Sequence, residues 1–400
     1  MINGVIARRA ALVALAAALA GGAFVLRFDQ GADSVAAHPH ARSAPPPSVA
    51  AAAAEAVTAQ PARAQPTDAR ASSDEAALEH WNGALIASAE QHLFSRLAEA
   101  DPRDRAISAL ALIMLLNVQG DRDAATRTQL LDVMRAASDA APDDALLARL
   151  WHDGCAGSTG CDADSALRRW QALDGDDASS WLAGIQHAQN AGDERAVRAL
   201  IERAARTGGY DRLGLESSRL LVDALLGAPR PPLDAGVAAR AAATMGFHRG
   251  ADAGDLAISW ASQFGFLWLP PLLPVSRACP RPNVAPWPPG CEQVHILMAS
   301  HPTLIFRHLA LPRLIMHHGA TEPGRAWREQ LRTLAWLQAM ASETDPLYLR
   351  ELWQLGEVPA LHALLRRRGV APRPPAGWLP ADARTRSLIL TGAPPSEPRR

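Results

Sequence analysis

The chain has 400 residues, 48% apolar and 20% charged, which is enough to bury the core of one large domain or two ordinary ones. The net charge is -1, so the chain lacks the basic field that would hold nucleic acid. All 40 basic residues are Arg, and with the Ala and Pro excess this matches a high-GC bacterial coding bias.

Arg8-Arg9 precede an unbroken apolar run of 17 residues, Ala10 to Leu26, which ends at Arg27 and Asp29. A basic flank followed by an apolar run is read by export machinery and by a bilayer alike. Residues 1–29 are therefore expected to be a signal peptide or an N-terminal membrane anchor. Ala18-Leu19-Ala20 offers a small-x-small cleavage site, but the apolar run continues past it through Phe24-Val25-Leu26, which favours the uncleaved anchor. The expected location is periplasmic, with the chain anchored in the inner membrane and a cleaved leader as the alternative. No Cys follows the run to take a lipid, and the residues around Arg8-Arg9 match a twin-arginine signal poorly.

Residues 30–74 are expected to be a disordered Ala/Pro-rich linker, with Ala44-Pro45-Pro46-Pro47, Gln60-Pro61 and Gln65-Pro66 and almost no large apolar residue to offset ordering entropy. A flexible chain of that length spans roughly 35–40 Å, a tether between membrane and folded part.

Helical spacing begins at about Asp74. Leu93 and Leu97, then Ile107, Leu110, Ile113 and Leu116, mark the first buried faces. Leu130, Leu131, Met134 and Ala137 mark the next. Asp143 or Asp144, Asp162 and Asp177 stand where helix caps are wanted, and Asp211 begins a further helix. Asp144 to Asp177 is 33 residues and Asp177 to Asp211 is 34. A period of that length built from paired helices marks a stacked helical solenoid.

With position one at Asp177, Gly184 and Ala196 fall in small slots where paired helices touch, and Leu200 falls in the large apolar slot after them. On these residues the segment from about 100 to 225 resembles the tetratricopeptide-repeat family. Trp181 stands one residue late for that family's Trp, and Gly208-Gly209 replaces its closing Pro. The resemblance implies a helical face that binds a protein or peptide partner.

The fold class expected is all-α, with tetratricopeptide-like helical hairpins over 75–228, a further helical region over 229–379, a frayed tail over 380–400 and no substantial sheet. The hinge is Gly227-Ala228-Pro229-Arg230-Pro231-Pro232. Later helices are expected at about 292–318, 324–341, 345–355 and 359–368, after a Pro-rich loop from Pro270 to Pro289.

The four cysteines are Cys155, Cys161, Cys279 and Cys291. An even number outside the cytoplasm reads as disulfides. Three pairings are open, and local pairing is the simplest. Five and eleven intervening residues do not fit the short Cys knuckles of a structural zinc site.

Chemistry is otherwise unmarked. His295, His301 and His308 miss the i, i+4 spacing that puts two ligands on one helix face, and His317-His318 follow. His38 and His40 lie in the linker. No nucleophile elbow, phosphate loop or dinucleotide fingerprint occurs. Trp260, Trp268 and Trp287 flank the Pro-rich loop, where they plug gaps between small-residue helices or line a groove. No catalytic, cofactor-binding or metal-ligating residue is assigned, and no cofactor is called. The expectation is a non-enzymatic interaction or scaffold module of the bacterial envelope, tethered by its N-terminus. The alternative is an envelope hydrolase or lyase acting on glycan or peptide near the Trp/Pro loop.

Overall fold

The computed structural model describes residues 67–395, except 100, 120–123, 156–157, 159–160, 245–246, 248–251, 267–271, 283–284 and 342–345. The expected signal or anchor segment and most of the linker lie outside the described residues. The chain divides into two units, 1–80 and 81–400. Of the first, only the opening of helix α1 (Thr67–Arg96) is described. That helix starts inside the segment expected as linker. Every later helix belongs to the second unit.

Every regular element among the described residues is helical. After α1 come α2 (Pro102–Gln119), α3 (Ala124–Ala140), α4 (Ala145–Cys155), α5 (Ala163–Leu173), α6 (Ala178–Leu182), α7 (Ile185–Asn190), α8 (Glu194–Ala204) and α9 (Arg212–Leu226). Then come α10 (Ala235–Thr244), α11 (Ala253–Phe266), α12 (Leu272–Ala278), α13 (Cys291–Ser300), α14 (Leu304–His318), α15 (Glu322–Met340), α16 (Pro346–Leu355), α17 (Glu357–Arg367) and α18 (Ala383–Thr391). No helix among the described residues is long and apolar enough to cross a membrane.

Helix starts follow local chemistry. The Asp162, Asp177 and Asp193 side chains accept the N–H groups of Ser165, Ser179 and Ala196, and Asp144 accepts that of Leu146. Each satisfies a donor that the first turn leaves without a helical partner. The expected helix over 292–318 is two helices, because Pro302 and an extended His301 interrupt it. Pro312, by contrast, is accommodated inside α14.

Sequence neighbours pack as pairs: α2 with α3, α4 with α5, α13 with α14, α16 with α17. The order then departs from simple stacking. α9 turns back onto α2 and α4, and also meets α11 and α16. Among the described residues, beside a small cluster of Trp151, Cys155 and Ala166, there are two large apolar cores. One gathers Leu110, Met134, Leu146 and Leu150 with Leu221, Leu225, Phe264 and Trp353. The other gathers Leu182, Ile201 and Tyr210 with Val294, Phe306, Leu314, Leu334 and Leu365. Each fully buried Leu or Phe contributes roughly 1.5–3 kcal/mol. Each core mixes residues from both sides of the hinge at 227–232, so the expected boundary at 228/229 does not separate the cores. The tail expected to be frayed holds α18, capped by Asp382 on the Thr385 N–H, with Leu388 buried in the second core against α15.

Cys155 and Cys161 stand at disulfide distance, with Cα atoms 5.5 Å apart, and so do Cys279 and Cys291, at 5.6 Å. Of the three possible pairings, the local one fits. Gly290 closes the second loop at φ 89°, and a Cβ there would meet Ile201 and Ala205, so glycine lets α13 approach α8.

Candidate functional site

A polar seam lies where the two cores meet. Its centre is Asp177, a fully buried carboxylate. Its Oδ1 accepts from the Ser179 N–H (2.9 Å), the Ser179 hydroxyl (2.6 Å) and the Asp211 N–H (2.8 Å). Its Oδ2 accepts from the Arg212 backbone (2.9 Å) and guanidinium (3.3 Å). Burial alone would raise its pKa, but the donors from Ser179, Arg212 and Asp211 outweigh burial and hold it below the usual carboxylate range. The Ala178 N–H donates to Gly209 O at 2.9 Å, so the start of α6 is hydrogen-bonded to the backbone that leads into α9.

Asp211 sits at the start of α9 in the left-handed conformation, φ 54°, and its side chain does not cap that helix. It turns instead to the Arg149 guanidinium of α4 in a buried ion pair. A Cβ on residue 214 would collide with this carboxylate, which accounts for Gly214. Burial pushes Asp211 up to about 6 against the opposing pull of Arg149. Arg149 also reaches Asp153 at 3.3 Å and lies 5.1 Å over the Trp170 ring. Asp211 and Asp153 overcome the burial of the guanidinium and keep it charged.

His301 completes the seam from the end of α13. Its Nδ1 accepts the Thr303 N–H at 3.1 Å, so Nε2 carries the proton and faces Asp211 O at 3.5 Å. Burial lowers it to about 4, so the ring is neutral at physiological pH. Tyr210 meets His301 and Phe306 edge-on. Glu357, at the start of α17, accepts the Leu304 N–H at 2.6 Å and so caps α14 from another helix. The residue keeps some exposure, but desolvation of its carboxyl raises it to about 7.

Asp211, His301 and Glu357 line one cavity of about 30 Å³ with Ser218, Thr303 and Trp353. That volume holds one or two waters and no sugar ring or peptide.

Of the histidines, tryptophans and cysteines singled out from the sequence, His301 lines this cavity and the others described lie elsewhere. The cysteines pair locally, each pair closing its own loop. Trp260 packs on Phe264 against the first core, while Trp287 packs against the second. Trp268, His38 and His40 lie outside the described residues. His295 and His308 are lowered to about 3 and 4, each mainly by burial. Spacing rules within one helix missed one grouping: Glu292, at the start of α13, meets His317 and His318, at the end of α14. The adjacent His317-His318 pair was its only local signal.

Comparison with protein-family models, curated proteins and solved structures finds no match to this chain.

Proposed function

We propose that the chain is a non-enzymatic interaction module of the bacterial envelope, with a tetratricopeptide-like set of hairpins held away from the membrane by its N-terminal segment and linker. The observation that carries this reading is the tie between Asp177 and Asp211. The residue that begins one unit hydrogen-bonds the backbone that begins the next, 34 residues on. A unit that cannot bury its own apolar face needs such a tie to its neighbour. Two cysteine pairs at bonding distance suit an oxidising compartment.

The hydrolase reading has one observation in its favour, the two raised carboxyls of Asp211 and Glu357 on one cavity. Against it, that cavity has room for little more than water, and a general acid and base must reach a substrate atom. The seam is read as a structural joint. Fractionation tests the location: the full chain should sediment with membranes and be cleaved by protease added to spheroplasts, but not to intact cells. Recovery in the cytosol with four alkylatable thiols contradicts the reading.

A further inference from the structure

We propose that Glu292, His317 and His318 form a binding site for a divalent transition-metal ion of borderline softness, with zinc as its probe. α13 and α14 run antiparallel around the corner at His301–Thr303, which sets the first turn of α13 against the last turn of α14. Glu292 Oε1 lies 3.0 Å from His318 Nε2, and Oε2 lies 3.6 Å from His317 Nε2. One donor atom from each residue falls within 4.8 Å of the other two. In a tetrahedral site with bonds of 2.0–2.2 Å, neighbouring donors stand about 3.3–3.6 Å apart. The two carboxylate–imidazole distances bracket that edge length, so an ion fits after small side-chain adjustments. Two imidazoles and one carboxylate are the donor types that zinc takes when it keeps a fourth position open.

The surroundings orient the ligands. The His317 ring is stacked on Trp287, with centroids 4.5 Å apart and planes at 19°. Trp287 also stacks on His295, at 4.7 Å and 16°. The Trp287 indole N–H donates to Pro280 O at 2.5 Å, and the loop that carries Trp287 is closed by Cys279 and Cys291. The stapled loop therefore fixes the plane of His317 while its Nε2 faces Glu292. Outer groups that hold an imidazole in place strengthen metal sites. The carbonyl end of α14 also favours a cation there. The Glu292, His317 and His318 side chains are 46%, 34% and 19% exposed, so an ion can enter from solvent and keep a water.

The competing explanation is a pair of histidine–glutamate ion pairs with no metal affinity. Calorimetric titration of zinc into the full, chelator-stripped chain separates the two. His38→Asn and His40→Asn are carried in every sample to silence the linker histidines. One zinc per chain is expected. His317→Gln, His318→Gln and Glu292→Gln should each weaken binding at least tenfold, with thermal unfolding in chelator unchanged. Cobalt should give the intense visible bands of a tetrahedral site, and these should vanish in the His317→Gln/His318→Gln chain. Absence of stoichiometric zinc binding, or binding that survives the double substitution, overturns the proposal. Should the histidine variants unfold, Glu292→Gln alone decides: undiminished affinity there also overturns it.

Discussion

The Asp177 carboxylate accepts the backbone N–H of Asp211 at 2.8 Å across 34 residues of chain. One buried side chain thereby caps its own helix, α6, and fixes the entry to α9. α9 also packs on α2 and α4, so this contact fixes the entry to a helix of the first core.

Asp177→Asn keeps the shape but sets an amide donor against the Arg212 N–H. The expected loss is about 2–4 kcal/mol, because buried donors lose charged acceptors. The sign with pH is fixed by the depressed folded pKa. The stability Asp177 supplies is present above the unfolded carboxylate value near 4, and is lost as pH falls through its lower folded value. Urea unfolding at pH 7 and at a series of acid pH values checks this. The gap between the two chains should be full at pH 7 and narrow as the pH falls below the unfolded carboxylate value.

Arg149→Met leaves the Asp211 carboxylate buried without its cation and should cost about 3–5 kcal/mol. Adding Asp211→Asn should recover at least half of that, since Asn is neutral and tolerates the left-handed φ of 54°. The double-mutant cycle measures the coupling. Strict additivity would show that the two side chains do not act as a pair.

Glu357 titrates in the opposite sense to Asp177. Its folded value of about 7 lies above the unfolded one, so the folded chain keeps a proton that the unfolded chain has lost. Stability therefore falls as pH rises from about 4.5 to about 7. Glu357→Gln retains an acceptor for the Leu304 N–H and removes the titration. It should stabilise the chain by about 1–3 kcal/mol at pH 8 and leave it nearly unchanged at pH 4. An equal effect at both pH values would contradict the assignment.

Cys279→Ser/Cys291→Ser should cost about 2–3 kcal/mol through the freed loop. It should also loosen Trp287 from His295 and His317, visible as narrower dispersion of those imidazole resonances. Mass spectrometry after alkylation without reduction should find no labelled thiol in exported protein.

Local features were legible wherever the chemistry is local. Asp143 or Asp144, Asp162 and Asp177 read as caps from their positions before apolar runs, and the side chains of Asp144, Asp162 and Asp177 do cap. The 33–34-residue spacing marked the helix starts. Asp211 shows the limit. Its position announces a helix start, but its side chain serves Arg149, 62 residues earlier, and no local pattern encodes that choice. Nothing local in α9 tells that α2 and α4 cover it. Leu388 and Ile389 were too short a run to reveal that α18 docks. Glu292 meets His317-His318 only because Pro302 folds α13 and α14 into a hairpin, so a spacing rule for one helix passed over all three residues.

The proposed function makes one direct demand: the folded part must select a protein partner. Crosslinking in intact cells followed by purification from membranes tests it, with the full chain compared against residues 1–74 alone. The full chain should capture the same protein reproducibly, the 1–74 segment should not, and Asp177→Asn should reduce capture in proportion to unfolding. Recovery of no specific protein by the folded, membrane-held chain, or equal capture by the 1–74 segment, would contradict the proposed function.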